Sequence, residues 1–227
     1  KLRELIVVES VALAVLAGAF LLLIGDHGRA PEPAEPALEA VDVLADDPAP
    51  ERVIPSGRPM PVYLQDDPQW GYVPYGAGTL SDTGCGLVCA AMATEYITNQ
   101  SVNPRDLSGI VGDTCLTAGV NDPGKFCEWI ASAYPEYGIE HSEIYFMIDA
   151  ALAACDGGSV VFASLEGYLG GRYYGGHIVL IWRTDGDSVY IRDPADGANS
   201  QRVFTRDEIR GVNWVYFYDI KGGHYGS

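Results

Sequence analysis

From residue 5 to residue 25 every position is apolar or glycine except Glu9 and Ser10. Roughly 20 such residues span a bilayer core, so residues 1–25 are expected to form a transmembrane anchor. A cleaved signal segment is the alternative. Its apolar stretch is shorter, and the one suitable cleavage triplet, Gly28-Arg29-Ala30, runs straight into Pro31. Lys1 and Arg3 would keep the N-terminus cytoplasmic. That predicts a single-pass protein of the cell membrane with the rest of the chain on the extracytoplasmic side. Residues 26–59 hold seven prolines among repeated Ala, Glu and Asp, and no aromatic residue. Such a stretch cannot bury enough apolar surface to fold and is expected to be an extended acidic linker.

A foldable pattern begins near Met60 and runs over residues 60–220, leaving 221–227 as a glycine-rich tail. Residues 61–65 read as a short strand. In the stretch from Ser81 to Thr98, apolar Leu87, Val88, Ala91 and Met92 fall at helical spacing behind a polar, glycine-containing turn. Asn103-Pro104 and Asp122-Pro123 each read as a cap followed by a first helical proline. They predict helices over 104–111 and 123–133, and Ser142-Glu143 opens a third expected over 142–155. The pattern then turns to strands at 159–163, 177–183, 188–192 and 213–220. Helices first and an antiparallel sheet after is an α+β arrangement.

Composition narrows the classes of function. Apolar residues at 48% suffice for a core, and the net charge of −17 leaves nothing to neutralise a run of phosphates, which excludes a nucleic-acid partner. The five cysteines are an odd number. In an exported domain four of them would pair and one stay free. Cys115 with Cys127 is the first pairing to expect; the partners of Cys89 and Cys155 stay open, as does the alternative that some or all remain thiols. Cys85 and Cys89 lie one helical turn apart with no histidine nearby, a poor zinc set, so neither a metal nor a cofactor is expected.

Cys85 is the cysteine to leave free. Glycines flank it, and it stands in the first turn of the helix pattern, where unpaired N–H groups and the positive end of the helix dipole favour a thiolate. Of the four histidines, His177 follows two glycines and opens the apolar run Ile178-Val179-Leu180-Ile181-Trp182. The segment Thr184-Asp185-Gly186-Asp187 is a hairpin signal. A three-residue loop with Gly186 at its left-handed position pairs Arg183 with Asp187, and therefore His177 with Asp193. Directly paired residues share a face of the sheet with Cβ atoms about 4.5–5.5 Å apart. A nucleophile, a base and a group that orients the base are the parts an activated thiol needs. Tyr168, Tyr173 and Tyr174, set among glycines before His177, either line a substrate cleft on a loop or rest on the core.

With these residues in place, the chain resembles the papain-like cysteine peptidases. More narrowly, it resembles the family that removes double-glycine leaders from bacteriocin precursors, together with its stand-alone relatives. The matching segments are Leu64-Gln65-Asp66-Asp67-Pro68-Gln69-Trp70, Gly84-Cys85-Gly86, Gly176-His177-Ile178-Val179-Leu180 and Val189-Tyr190-Ile191-Arg192-Asp193-Pro194. The resemblance implies a papain-like α+β fold, with the nucleophile helix of an N-terminal helical part packed on a C-terminal antiparallel sheet. It also implies roles: Cys85 as nucleophile, His177 as base, Asp193 as the orienting residue and Gln65 as an oxyanion donor. Leu87 departs from the pattern, since many relatives carry proline there. The implied partner is a peptide or protein substrate, with the membrane met through the N-terminal helix; the sequence is silent on oligomeric state. A cell-wall peptide amidase or transferase using the same thioester chemistry is one alternative, and an inactive binding module of the same fold is another.

Overall fold

The computed structural model describes residues 58–222. The expected anchor over 1–25, nearly all of the linker over 26–59 and most of the tail over 221–227 lie outside the described residues. Among the described residues no helix is long and apolar enough to cross a membrane.

The first part of the domain is built from helices and two-residue strands. A small hairpin, β1 (Pro74–Tyr75) and β2 (Gly78–Thr79), leads through α1 (Leu80–Thr83) into α2 (Cys85–Thr98). Next come α3 (Pro104–Val111), the hairpin β3 (Leu116–Thr117) and β4 (Val120–Asn121), α4 (Pro123–Ala133) and β5 (Glu140–His141). Asn103 and Asp122 cap α3 and α4, accepting from the amides of Arg105 and Lys125, and Pro104 and Pro123 occupy first-turn positions. These are the start signals read from the sequence, doing what their chemistry dictates.

The second part is dominated by the sheet. After α5 (Ile148–Asp156) follow β6 (Val160–Leu169), β7 (Arg172–Asp185), β8 (Ser188–Arg192), α6 (Gly197–Gln201), β9 (Val203–Thr205), α7 (Arg206–Arg210) and β10 (Trp214–Lys221). The six-stranded sheet runs in the order β5-β10-β6-β7-β8-β9, every neighbouring pair antiparallel. The fold is α+β, as expected, with α2 packed against the C-terminal sheet.

Both faces of that sheet are covered. Val160, Phe162, Ile178, Leu180 and Trp182 join Leu87, Val88, Ala91 and Met92 of α2 and residues of α3 and α4 in one core. Val161, Ala163, Leu165, Val179 and Ile181 join Ala151 and Leu152 of α5 and Ile209 of α7 in a second. Burial on both sides is why β6 and β7 read as continuous apolar runs rather than alternating ones. α2 lies buried on nearly every side, with alanines 90, 91 and 93 fully enclosed.

Four local expectations are corrected. Residues 61–65 pair with no strand. Polar groups of residues 60–65 go elsewhere: the Tyr63 amide donates to the Met92 sulfur and the Gln65 amide to the Pro194 carbonyl, and the carbonyls of Met60 and Pro61 accept from Arg192. The helix expected from 142 begins only at Ile148, because Ser142 exchanges bonds with Asp219 and Tyr145 with Phe217 along the edge of β10. Tyr168, Tyr173 and Tyr174 stand on the extended β6–β7 hairpin rather than on a loop. All five cysteines are free thiols. The expected Cys115–Cys127 bridge is absent: Cys115 sits by the Thr114 hydroxyl and the Lys125 carbonyl, and Cys127 is enclosed in the helical-side core.

The β7–β8 register is a fifth correction and the most instructive. Asp185 pairs with Ser188 across a two-residue loop, with Gly186 at φ +59°, in place of the three-residue loop read from the sequence. That loop alone would put His177 and Asp193 on opposite faces. A bulge between Ile181 and Arg183 adds one residue to β7, and beyond it Leu180 pairs with Arg192. Extending this register by one residue sets Asp193 opposite Val179, on the face of His177 and diagonal to it. Diagonal neighbours are within reach of long side chains.

Candidate active site

Cys85 is the first residue of α2, preceded by Gly84 as the cap, and no capping side chain closes the helix end. It is partly exposed, whereas the other four cysteines are buried. Gly86 beside it has a steric reason: a Cβ there would come within 2.7 Å of the Asn121 Cβ and 2.9 Å of its amide oxygen.

His177 and Asp193 come together directly, Nε2 to Oδ1 at 2.8 Å, with His177 only 6% exposed and Asp193 fully buried. That bond leaves Nδ1 as the ring nitrogen available to Cys85. The aspartate is saturated with donors: Oδ1 also accepts from the Ala195 amide at 2.9 Å, and Oδ2 from the Tyr174 hydroxyl at 2.6 Å and Asn199 Nδ2 at 3.0 Å. Burial disfavours its charged form, but the bonds from His177, Tyr174 and Asn199 win and hold its pKa below the ordinary carboxylate value. The Tyr174 ring stacks on the imidazole, centroids 4.4 Å apart and planes 5° from parallel.

Burial also opposes charge on His177. The hydrogen bonds to Asp193 and to Cys85, with the charges behind them, more than offset it and raise the pKa from 6.5 to about 9. The imidazole therefore stays protonated across neutral pH while placed between a carboxylate and a thiol sulfur. Burial pushes the thiols of Cys89 and Cys127 well above the ordinary value, that of Cys115 upward, and that of Cys155 to about 12.

Gln65 does not touch Cys85 through any hydrogen bond. Its Nε2 donates to the Ser81 carbonyl at 2.6 Å, just before α2, and its amide N–H to the carbonyl of Pro194, next to Asp193. The side chain is thus tied to the segments that carry the thiol and the carboxylate, while its Oε1 is buried without a partner. Among the described residues no group of three His, Cys, Asp or Glu side chains is arranged to hold a metal ion. Tyr168 and Tyr173, both exposed and edge to face at 5.2 Å, help line a groove of about 490 Å³ with Glu166, Gly167, Gly211 and Asn213.

Three residues at the site go beyond the roles read from the sequence. Tyr174 lies among the same glycines as Tyr168 and Tyr173, but it alone of the three is buried. Asn199 arrives on α6, whose start is signalled by Asp196 accepting from the amides of Ala198 and Asn199. Asn121 precedes the Asp122 cap, and nothing local marks it as reaching Cys85.

No family model matches the chain, and no curated protein matches it. Among solved structures, one to which it is similar is that of a "putative C39-like peptidase" from Bacillus anthracis. The two share 18% identity over 77% of this chain and 99% of that one, with a TM-score of 0.48.

Proposed function

We propose that the chain is a cysteine peptidase that hydrolyses peptide or peptide-like amide bonds through Cys85, His177 and Asp193, with Gln65 as oxyanion donor. The observation that carries this reading is the buried His177, held by Asp193 through one ring nitrogen and interacting with the Cys85 sulfur.

The Cys85 sulfur, as thiolate, forms a bond to the substrate carbonyl carbon, and the carbonyl electron pair moves onto oxygen. The Cys85 backbone N–H and the Gln65 side-chain amide donate to that oxyanion. An amide nitrogen carries two hydrogens, and Ser81 occupies one of those on Gln65. Collapse of the intermediate breaks the C–N bond as His177 gives its proton to the leaving amine. Water, deprotonated by His177, then attacks the thioester and frees the acid and the thiolate. An aspartate rather than a second histidine behind the base favours a peptidase over a cell-wall amidase. The proposal includes display on the outer face of the cell membrane, which rests on the apolar run over 5–25 and the linker composition; protease added to intact cells should then digest the domain.

The test is cleavage of a diverse peptide pool followed by mass spectrometry. The wild type should generate new termini, and Cys85→Ala and His177→Ala should lose at least about 100-fold in rate. Binding of peptides without new termini, unchanged in Cys85→Ala, would leave a binding module instead.

A further inference from the structure

Asn121 closes β4, and its side chain reaches across the first turn of α2. Its Nδ2 donates to the Thr83 carbonyl at 2.5 Å and lies 3.8 Å from the Cys85 sulfur; its Oδ1 accepts from the buried Tyr75 hydroxyl at 3.3 Å. With two hydrogens on that nitrogen, Thr83 takes one and the sulfur faces the other. The close approach exists only because residue 86 is glycine, since any Cβ there would collide with Asn121. The amide is itself buried, 8% exposed, which limits the access of water to its hydrogens. A buried amide fixed at its oxygen by a tyrosine and through one hydrogen by a backbone carbonyl has little freedom to turn away.

Resting on the reading of Cys85 as nucleophile, we propose that Asn121 is a further catalytic residue, whose side-chain N–H donates to the Cys85 sulfur and holds it as a directed thiolate. The titratable groups that sense this sulfur are His177 of β7, Tyr75 of β1, Cys89 one turn along α2 and Tyr216 of β10. His177 supplies the charge; Asn121 supplies a neutral donor from the opposite hairpin. Because the donor is neutral, its help does not fade with pH. In this arrangement β3–β4 belongs to the active site.

The test is the rate and pH profile of Cys85 alkylation by iodoacetamide, site-resolved by mass spectrometry, on the whole chain. Wild type, Asn121→Ala and Asn121→Asp are compared with Thr98→Val, which removes a buried hydroxyl at the far end of α2. Asn121→Ala should label roughly five- to tenfold more slowly near neutral pH, as for loss of one ordinary hydrogen bond. Its profile should move to higher pH. Asn121→Asp keeps the shape but sets a carboxylate against the sulfur, so it should be slower still, while Thr98→Val keeps the wild-type profile. Wild-type profiles in both Asn121 variants would overturn the proposal. If the Asn121→Ala protein does not fold, the Asn121→Asp profile decides alone. Failure of wild-type Cys85 to label ahead of the other cysteines would instead remove the underlying reading of Cys85.

Discussion

At the scale of single residues, the site depends on a histidine that keeps its proton where an ordinary imidazole has lost it. Titration of His177 by NMR should give a pKa of about 9, and Asp193→Asn should lower it by removing the carboxylate charge that opposes the effect of burial. A histidine raised on folding contributes stability that is fully present below about 6.5 and is lost as pH rises through about 9. Asp193 contributes stability present above about 3.8 and lost as pH falls through its depressed folded value. Their joint contribution to unfolding free energy should therefore be largest between these limits. Hydrolysis should fall above about pH 9, where His177 can no longer protonate the leaving amine, whereas alkylation of Cys85, which needs no acid, should not. Tyr174→Phe keeps the stacked ring but removes one donor from a buried carboxylate. It should cost about 1–3 kcal/mol in chemical denaturation.

At the scale of elements, the contact between His177 and Asp193 was legible in the sequence, but the register offered as its reason was not. Turn chemistry around Gly186 pointed to a three-residue loop; the structure uses two residues and regains the shared face through the bulge at Trp182. The bulge inserts one unpaired residue into β7, and no local pattern announces it. The caps at Asn103 and Asp122 were legible because capping is local. The start of α5 was not, because Ser142 meets Asp219, 77 positions away. The β6–β7 hairpin also holds α6 in place. A Cβ on Gly170, at φ +61°, would fall 1.8 Å from the Asn199 Oδ1. Gly170→Ala should therefore cost about 3 kcal/mol, displace Asn199 from Asp193 and lower peptide cleavage, measurable by denaturation and by rate.

For the whole molecule, two cores on either side of one sheet explain why a single domain holds a thiol from its helical half against a base from its sheet half. The order of helices and strands was readable because apolar periodicity reports burial directly. The state of the cysteines was not, since counting them assumes that export forces pairing, whereas four of them serve as small core residues. That difference gives the central claim its most direct measurement: brief iodoacetamide treatment of the native protein, with each of the five cysteines followed by mass spectrometry. The account predicts labelling of Cys85 far ahead of Cys89, Cys115, Cys127 and Cys155, slowed at least about tenfold at neutral pH in His177→Ala. A Cys85 that reacts no faster than the buried thiols, or as fast without His177 as with it, would contradict the account.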